Sequence, residues 1–186
     1  MKPRQRKCKY CREWYTPFNS LQKSCTKPKC AIQSGREMEQ KKRRRQNRID
    51  RERIKTRSQH MREAQQAFNA FIRERDTDLP CISCGTTESD HWRGGGWDCG
   101  HYRSVGAHPE LRFEELNAAK QCKRCNSHLS GNVVDYRIGL RERIGDEKLA
   151  WLEGHHEPKR YTIDDLRHIK AHYREKLRRM RKGPTP

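Results

Sequence analysis

The chain has 186 residues, 43 Lys and Arg against 24 Asp and Glu, a net charge of +19 and 31% hydrophobic residues. Such a composition excludes a large apolar core and a membrane-spanning protein, and the charge surplus repels itself unless a polyanion is the partner. Nine cysteines, most in CxxC-like spacing, point to another source of stability. That spacing in a cationic chain favours zinc over disulfides. A structural zinc supplies about 10–16 kcal/mol of apparent folding free energy. No apolar h-region follows Met1-Lys2-Pro3-Arg4, so the expected location is the cytoplasm, with no membrane partner.

Residues 1–35 read as an N-terminal zinc-binding module. Cys8-x2-Cys11 precedes Cys25-x4-Cys30, and four thiolates at such spacing suit a tetrahedral zinc. The other reading is four free buried thiols, against which stand the many Lys and Arg around them. Trp14, Tyr15, Phe18 and Leu21 lie between the pairs as the expected minimal core.

Residues 36–76 contain no Pro and are rich in Glu, Gln, Lys, Arg and Met, so a long basic helix is expected. If continuous, it spans roughly 60 Å. Its first half carries Lys41, Lys42, Arg43, Arg44, Arg45, Arg48, Arg51 and Arg53. These form either a DNA-contacting arm or a solvated helix, and their single sign favours DNA. The second half carries Met61, Ala64, Phe68, Phe71 and Ile72 as one helical stripe. This stripe is either a packing face onto its own domain or the seam of a homodimer.

Residues 77–135 hold the chemistry. Gly94-Gly95-Gly96 between Trp92 and Trp97 reads as a flexible loop before a short strand. Cys81-x2-Cys84 and Cys122-x2-Cys125 are two knuckles of a second zinc site. Cys99 is left over and reads as a small buried side chain of the strand. A zinc here ties a hairpin to a following helix and is expected to bring His101 toward Asn126. Phosphodiester cleavage needs a base, a divalent cation and oxygen ligands that leave the cation open. His101 is the candidate base. Asp98 offers a hard carboxylate, and Asn126 a side-chain carbonyl that suits Mg²⁺ or Mn²⁺. Asn117 is placed to fix the loop that orients His101. His128 is a backup ligand or phosphate contact.

Residues 136–186 form a C-terminal basic helical region. Thr162 is the expected N-cap, with Asp165 in the first turn where the helix dipole favours acid. Ile163, Leu166, Ile169, Tyr173, Leu177 and Met180 make one face, and Gly183-Pro184 ends the helix.

The order His101, Asn117, Asn126 resembles the His-Asn-His, or ββα-metal, nuclease motif, with Asn126 directly after the last zinc cysteine. The layout is similar to that of phage T4 endonuclease VII, except that Asp98 lies three residues before His101 instead of next to it. The run Trp97-Asp98-Cys99-Gly100-His101-Tyr102, then Asn117, then Gln121-Cys122-Lys123-Arg124-Cys125-Asn126, then Leu129-Ser130-Gly131-Asn132 resembles the lambdoid phage NinG, or Rap, recombination proteins. The N-terminal cysteine module and the basic helix resemble that family too, so the similarity covers nearly the whole chain. The resemblance implies a small zinc-stabilised α+β fold with a ββα-metal nuclease core. It also implies an endonuclease acting on branched DNA, Holliday junctions and D-loops, in phage recombination within the bacterial host. The alternative is a non-catalytic zinc-containing nucleic-acid-binding protein, which has no need of a base and a hard-metal ligand beside the knuckles. Resolving a junction takes two nicks on opposing strands, so a homodimer is the expected assembly.

Overall fold

A computed structural model describes residues 5–88 and 96–183; the expected loop glycines Gly94 and Gly95, and Pro184, lie outside them. The described residues form an α+β protein with two small two-stranded sheets. They fold as two compact units, residues 1–55 and 56–186.

In the first unit, β1 (Arg6–Lys7) pairs antiparallel with β2 (Trp14–Tyr15), setting Arg6 opposite Tyr15 and Lys7 opposite Trp14. Helix α1 (Pro28–Arg53) starts earlier than expected, inside the stretch read as the cysteine module. Proline suits this first turn because its φ is preset and its missing N–H is not needed there. Cys30 is the one buried residue of α1, whose sequence carries ten Lys and Arg against four acids. The expected minimal core is not one. Trp14 is 63% exposed, and Phe18 and Leu21 are each 84% exposed. Only Tyr15, with Tyr10, packs against the buried sulfurs of Cys8, Cys25 and Cys30. A two-residue strand has a single inward position, and four thiols already fill the centre.

The expected continuous basic helix is two helices. Ile54 caps the C-terminus of α1, and α2 (Arg57–Arg75) begins afresh after Thr56. The Thr56 hydroxyl accepts from the Gln59 N–H at 3.3 Å, and the Gln59 side chain accepts from the Thr56 N–H at 2.8 Å. This capping box defines a helix start.

The second unit is layered around a hairpin. Strand β3 (Trp97–His101) pairs antiparallel with β4 (Ala118–Cys122), with Asp98 opposite Gln121 and His101 opposite Ala118. A π-helical turn (Arg124–His128) follows, then α3 (Val133–Ile144), α4 (Asp146–Glu153) and α5 (Ile163–Lys182). Side chains alternate across a strand. On one face Cys99 and Ala118 pack with Phe68, Phe71, Ile72 and Tyr173 of α2 and α5. On the other, Ala119 packs with Ile82, Tyr136 and Leu140. The α2 stripe is therefore spent inside its own unit: Ala64, Phe68, Phe71 and Ile72 are buried, and Met61 packs on Ala64, Tyr161 and Leu166. It is not available as a dimer seam.

Helix α5 begins with Thr162 and Asp165 in a capping box and ends at Gly183, whose φ is +69°. Where α3 crosses the first knuckle, a Cβ on Gly139 would overlap the Ile82 carbonyl oxygen, so backbone meets backbone. At the end of α2, Asp76 is a buried carboxylate. It accepts from Arg75 Nε at 2.7 Å, Arg143 Nη1 at 3.0 Å and the Lys120 N–H at 2.9 Å. Burial alone would raise its pKa, but these donors outweigh burial and hold it below the ordinary value. Asp76 thereby joins α2, β4 and α3. No helix of the described residues is long and apolar enough to cross a membrane.

Candidate functional site

Cys8, Cys11, Cys25 and Cys30 bring their sulfurs within 4.8 Å of one another, and so do Cys81, Cys84, Cys122 and Cys125. Zinc–sulfur bonds of about 2.3 Å in a tetrahedron set sulfurs roughly 3.8 Å apart. The separations Cys11–Cys25 and Cys84–Cys122 are both 3.7 Å, far beyond disulfide length. Backbone N–H groups point at the sulfurs, from Cys25 to Cys8 and from Cys122 to Cys81, at 3.3 Å each. Burial would raise the Cys8 thiol, but N–H donors from Cys25, Cys11 and Tyr10 bring it to about 6. Burial pushes Cys30 up to about 12. A bound cation would favour all four as thiolates. Either tetrad could hold a structural zinc.

Cys99 belongs to neither tetrad. It is buried in the apolar layer against α2, and that burial pushes its thiol up to about 12.

The hairpin carries the other candidates. The Asn126 side chain, in the π-helical turn, donates to the Asp98 carboxylate at 2.9 Å. The expected approach was between His101 and Asn126; the pair within hydrogen-bond distance is Asp98 and Asn126. His101 ends β3 three residues later, so alternation turns it to the opposite face. There its ring lies 5.7 Å from that of Phe68. Its Nε2 is 3.1 Å from the Arg112 carbonyl oxygen. A carbonyl can only accept, so Nε2 carries the proton and Nδ1 the lone pair. Burial lowers the His101 pKa, and the Arg112 guanidinium adds to this, against backbone acceptors at Arg112 and Cys99.

Asn117 is fully buried. Its side chain accepts from the Arg103 N–H at 2.7 Å and donates to the carbonyls of Arg103 at 3.0 Å and Leu111 at 3.1 Å. Its own carbonyl accepts from the Tyr102 N–H at 2.8 Å. It thus pins the loop that leaves His101. His128 is exposed at the end of the π-helical turn. Lys41, Lys42, Arg43, Arg44, Arg45, Arg48, Arg51 and Arg53 are all exposed on α1. By helical periodicity they surround the axis instead of forming one stripe.

Gln121 was not singled out by its sequence context. It is fully buried opposite Asp98, and its amide nitrogen donates to Ser83 Oγ at 2.8 Å and the Gly131 carbonyl at 2.6 Å. Its amide oxygen, without a partner among the described residues, lies where a Cβ on Gly100 would be. Only the hairpin register could have signalled it. The Gly131 it grips lies in a turn where Ser130, Gly131 and Asn132 all have positive φ. From that turn the Asn132 amide reaches Cys125 Sγ at 3.6 Å.

These features define a class: a small, strongly basic α+β protein stapled by two cysteine tetrads, with a polar cluster on the hairpin beside the second. The profile of the family described as "Bacteriophage Lambda NinG protein" matches residues 1–183. The chain is 44% identical to "Protein ninG" of Escherichia phage 933W, covering 97% of this chain and 96% of that protein. It is 44% identical to "Protein ninG" of Escherichia phage lambda, over 97% and 95% of the two chains. The ninG protein of Salmonella phage P22 is 42% identical, over 97% and 96%. The chain belongs to the NinG family of lambdoid phage proteins. No solved structure matches it.

Proposed function

We propose that the chain is a metal-dependent endonuclease with a ββα-metal core, acting on branched DNA such as Holliday junctions and D-loops during phage recombination. The observation that carries this reading is the Asp98–Asn126 hydrogen bond between strand β3 and the turn after β4, on the hairpin that ends in His101. The choice of branched substrates rests on the family resemblance.

His101 has the features of a general base. It is held neutral by burial, and its Nε2–H is engaged by a backbone carbonyl that fixes the ring. Phe68 backs the ring and Asn117 fixes the loop beyond it. Asp98 and Asn126 offer oxygen donors that suit Mg²⁺ or Mn²⁺. A divalent cation held by them would supply charge stabilisation at the scissile phosphate. The basic residues of α1 provide phosphate contacts. Two nicks on opposing strands call for a homodimer, with a seam other than the α2 stripe.

The second reading is a non-catalytic zinc-containing DNA-binding protein. The placement of Asp98 and His101 on opposite faces of β3 favours it. Labelled four-way junction and matched linear duplex, incubated with and without Mg²⁺, separate the two. His101→Ala is expected to lower nicking about 10²–10⁴-fold while junction binding and zinc content persist. Near-normal cleavage by that variant would refute the base assignment. Because the His101 pKa is lowered, the rate should hold through neutral pH and fall only below the ordinary value of 6.5. An acid limb above 6.5 would assign the base elsewhere.

A further inference from the structure

The first unit exposes large apolar side chains that neither its cysteine cluster nor α1 covers. Trp14 is 63% and Phe18 84% exposed. The segment bearing them is firmly built. Tyr15, beside Trp14, turns inward and its hydroxyl donates to the Gln22 carbonyl at 2.7 Å. The Phe18 N–H donates to the Gln22 side chain at 2.7 Å. The Asn19 side chain accepts from the Leu21 and Gln22 N–H groups, at 3.0 Å each. Arg6 ties the loop across to the Ser20 carbonyl at 2.7 Å. A loop pinned by so many of its own polar groups holds its apolar side chains outward as a fixed feature. Aromatic side chains held outward in this way offer their ring faces to a partner.

The rim here is cationic. Lys7, across the strand pair from Trp14, sets its ammonium 5.3 Å from the indole centroid. Arg6, Arg12 and Lys23 lie in the same stretch, as does Lys9, which pairs with Glu37 of α1. Between residues 5 and 27 Glu13 is the one acid, and it pairs with Lys27. At this face a second copy would set one cationic rim against another and be repelled there. Unpaired nucleotides fit instead: each base offers a face for an aromatic ring and each step a phosphate for a cation.

We propose that Trp14 and Phe18 are stacking points for the unpaired bases of single-stranded DNA, with the surrounding Lys and Arg on its phosphates. The proposal rests on the nucleic-acid reading above and is independent of catalysis. It would give the first unit a role in sensing the open bases of a branch.

The test uses the full chain, labelled oligo(dT) and a duplex of equal length, with affinities read by fluorescence anisotropy across a salt series. Trp14→Ala and Phe18→Ala should each weaken oligo(dT) binding about five- to a hundredfold. Duplex affinity and the salt slope should stay unchanged, because no phosphate contact is removed. Trp14→Phe should recover most of the loss, and zinc content should match the parent. Unchanged oligo(dT) affinity in the double variant overturns the proposal, and so does an equal loss on both DNAs. A parent protein that binds duplex but not oligo(dT) overturns it while leaving the nucleic-acid reading in place. A parent that binds neither removes both.

Discussion

In residues 1–55 the cysteine cluster is the interior, with only Tyr10 and Tyr15 packed against it. In residues 56–186 the second cluster sits beside a larger apolar interior, with Trp97 against it and Ile82 of its own first knuckle passing into that interior. The same four-sulfur device thus works in two ways. In one unit it replaces a hydrophobic core, and the large apolar side chains stay outside. In the other it positions a hairpin, a turn and a helix that apolar packing already holds. Local cysteine spacing looks alike in the two. The side chains around each tetrad decide what loss of a bound zinc would do.

The contrast is tested most strongly by removing one sulfur from each tetrad. Cys8→Ser should release one zinc and unfold residues 1–55, leaving the thermal transition of the second unit in place. Cys122→Ser should release the other zinc and lower or abolish that transition, since a structural zinc contributes about 10–16 kcal/mol of apparent folding free energy. Metal analysis with calorimetry reads both. Full zinc content in either variant would discard its ligand set.

Next comes the buried carboxylate. Asp76→Ala leaves Arg75 and Arg143 without their shared partner. Breaking a buried ion pair in this way costs about 3–5 kcal/mol. The Asp76 pKa is lowered from 3.8, so its stabilisation is complete above that value and is lost as pH falls through the lower folded one. Acid unfolding of the second unit should therefore begin below pH 3.8, and the variant should lack that dependence. Denaturant melts at pH 7 and pH 3 provide the check.

A matched pair of phenylalanines sharpens the comparison further. Phe68 is wholly buried and Phe18 is 84% exposed. Phe68→Ala should cost about 3–5 kcal/mol. Phe18→Ala should leave the stability of its unit within about 0.5 kcal/mol. Similar costs for the two would mean that Phe18 is covered in solution. Between these two falls Tyr136→Phe, which removes the hydroxyl that donates to the Gly100 carbonyl at 3.0 Å. A loss of about 1 kcal/mol is expected, read from the same denaturant melts; no loss would mean that water replaces the bond.

The sequence made some of this plain and hid the rest for physical reasons. Both tetrads could be read because CxxC spacing is local and its geometry nearly fixed. The Thr162 cap was legible for the same reason. The break between α1 and α2 had a local signal as well, Thr56-x-x-Gln59, which the run of helix formers on either side masked. Trp14, Phe18 and Leu21 misled because apolar character says what a side chain prefers, and burial depends on what is near enough to cover it. Asp76 was illegible, since its partners Arg75, Lys120 and Arg143 meet only when three elements dock. The Asp98–Asn126 pair depended on which face of β3 each residue takes, and that follows from the pairing register with β4.

The contact between Gly139 and the Ile82 carbonyl involves two backbones. Junctions made of side chains can drift through paired substitutions, each partner accommodating the other. A junction of main chain against main chain has no such adjustable part, so it transmits position directly. Any displacement of the Cys81–Cys84 knuckle is passed to α3 as to a rigid lever. That lever carries Tyr136, which grips the Gly100 carbonyl, and Arg143, which grips Asp76. Through α3 the Cys81–Cys84 knuckle is in this way coupled to the strand that ends in His101, in parallel with the direct pairing of Cys122 and Trp97.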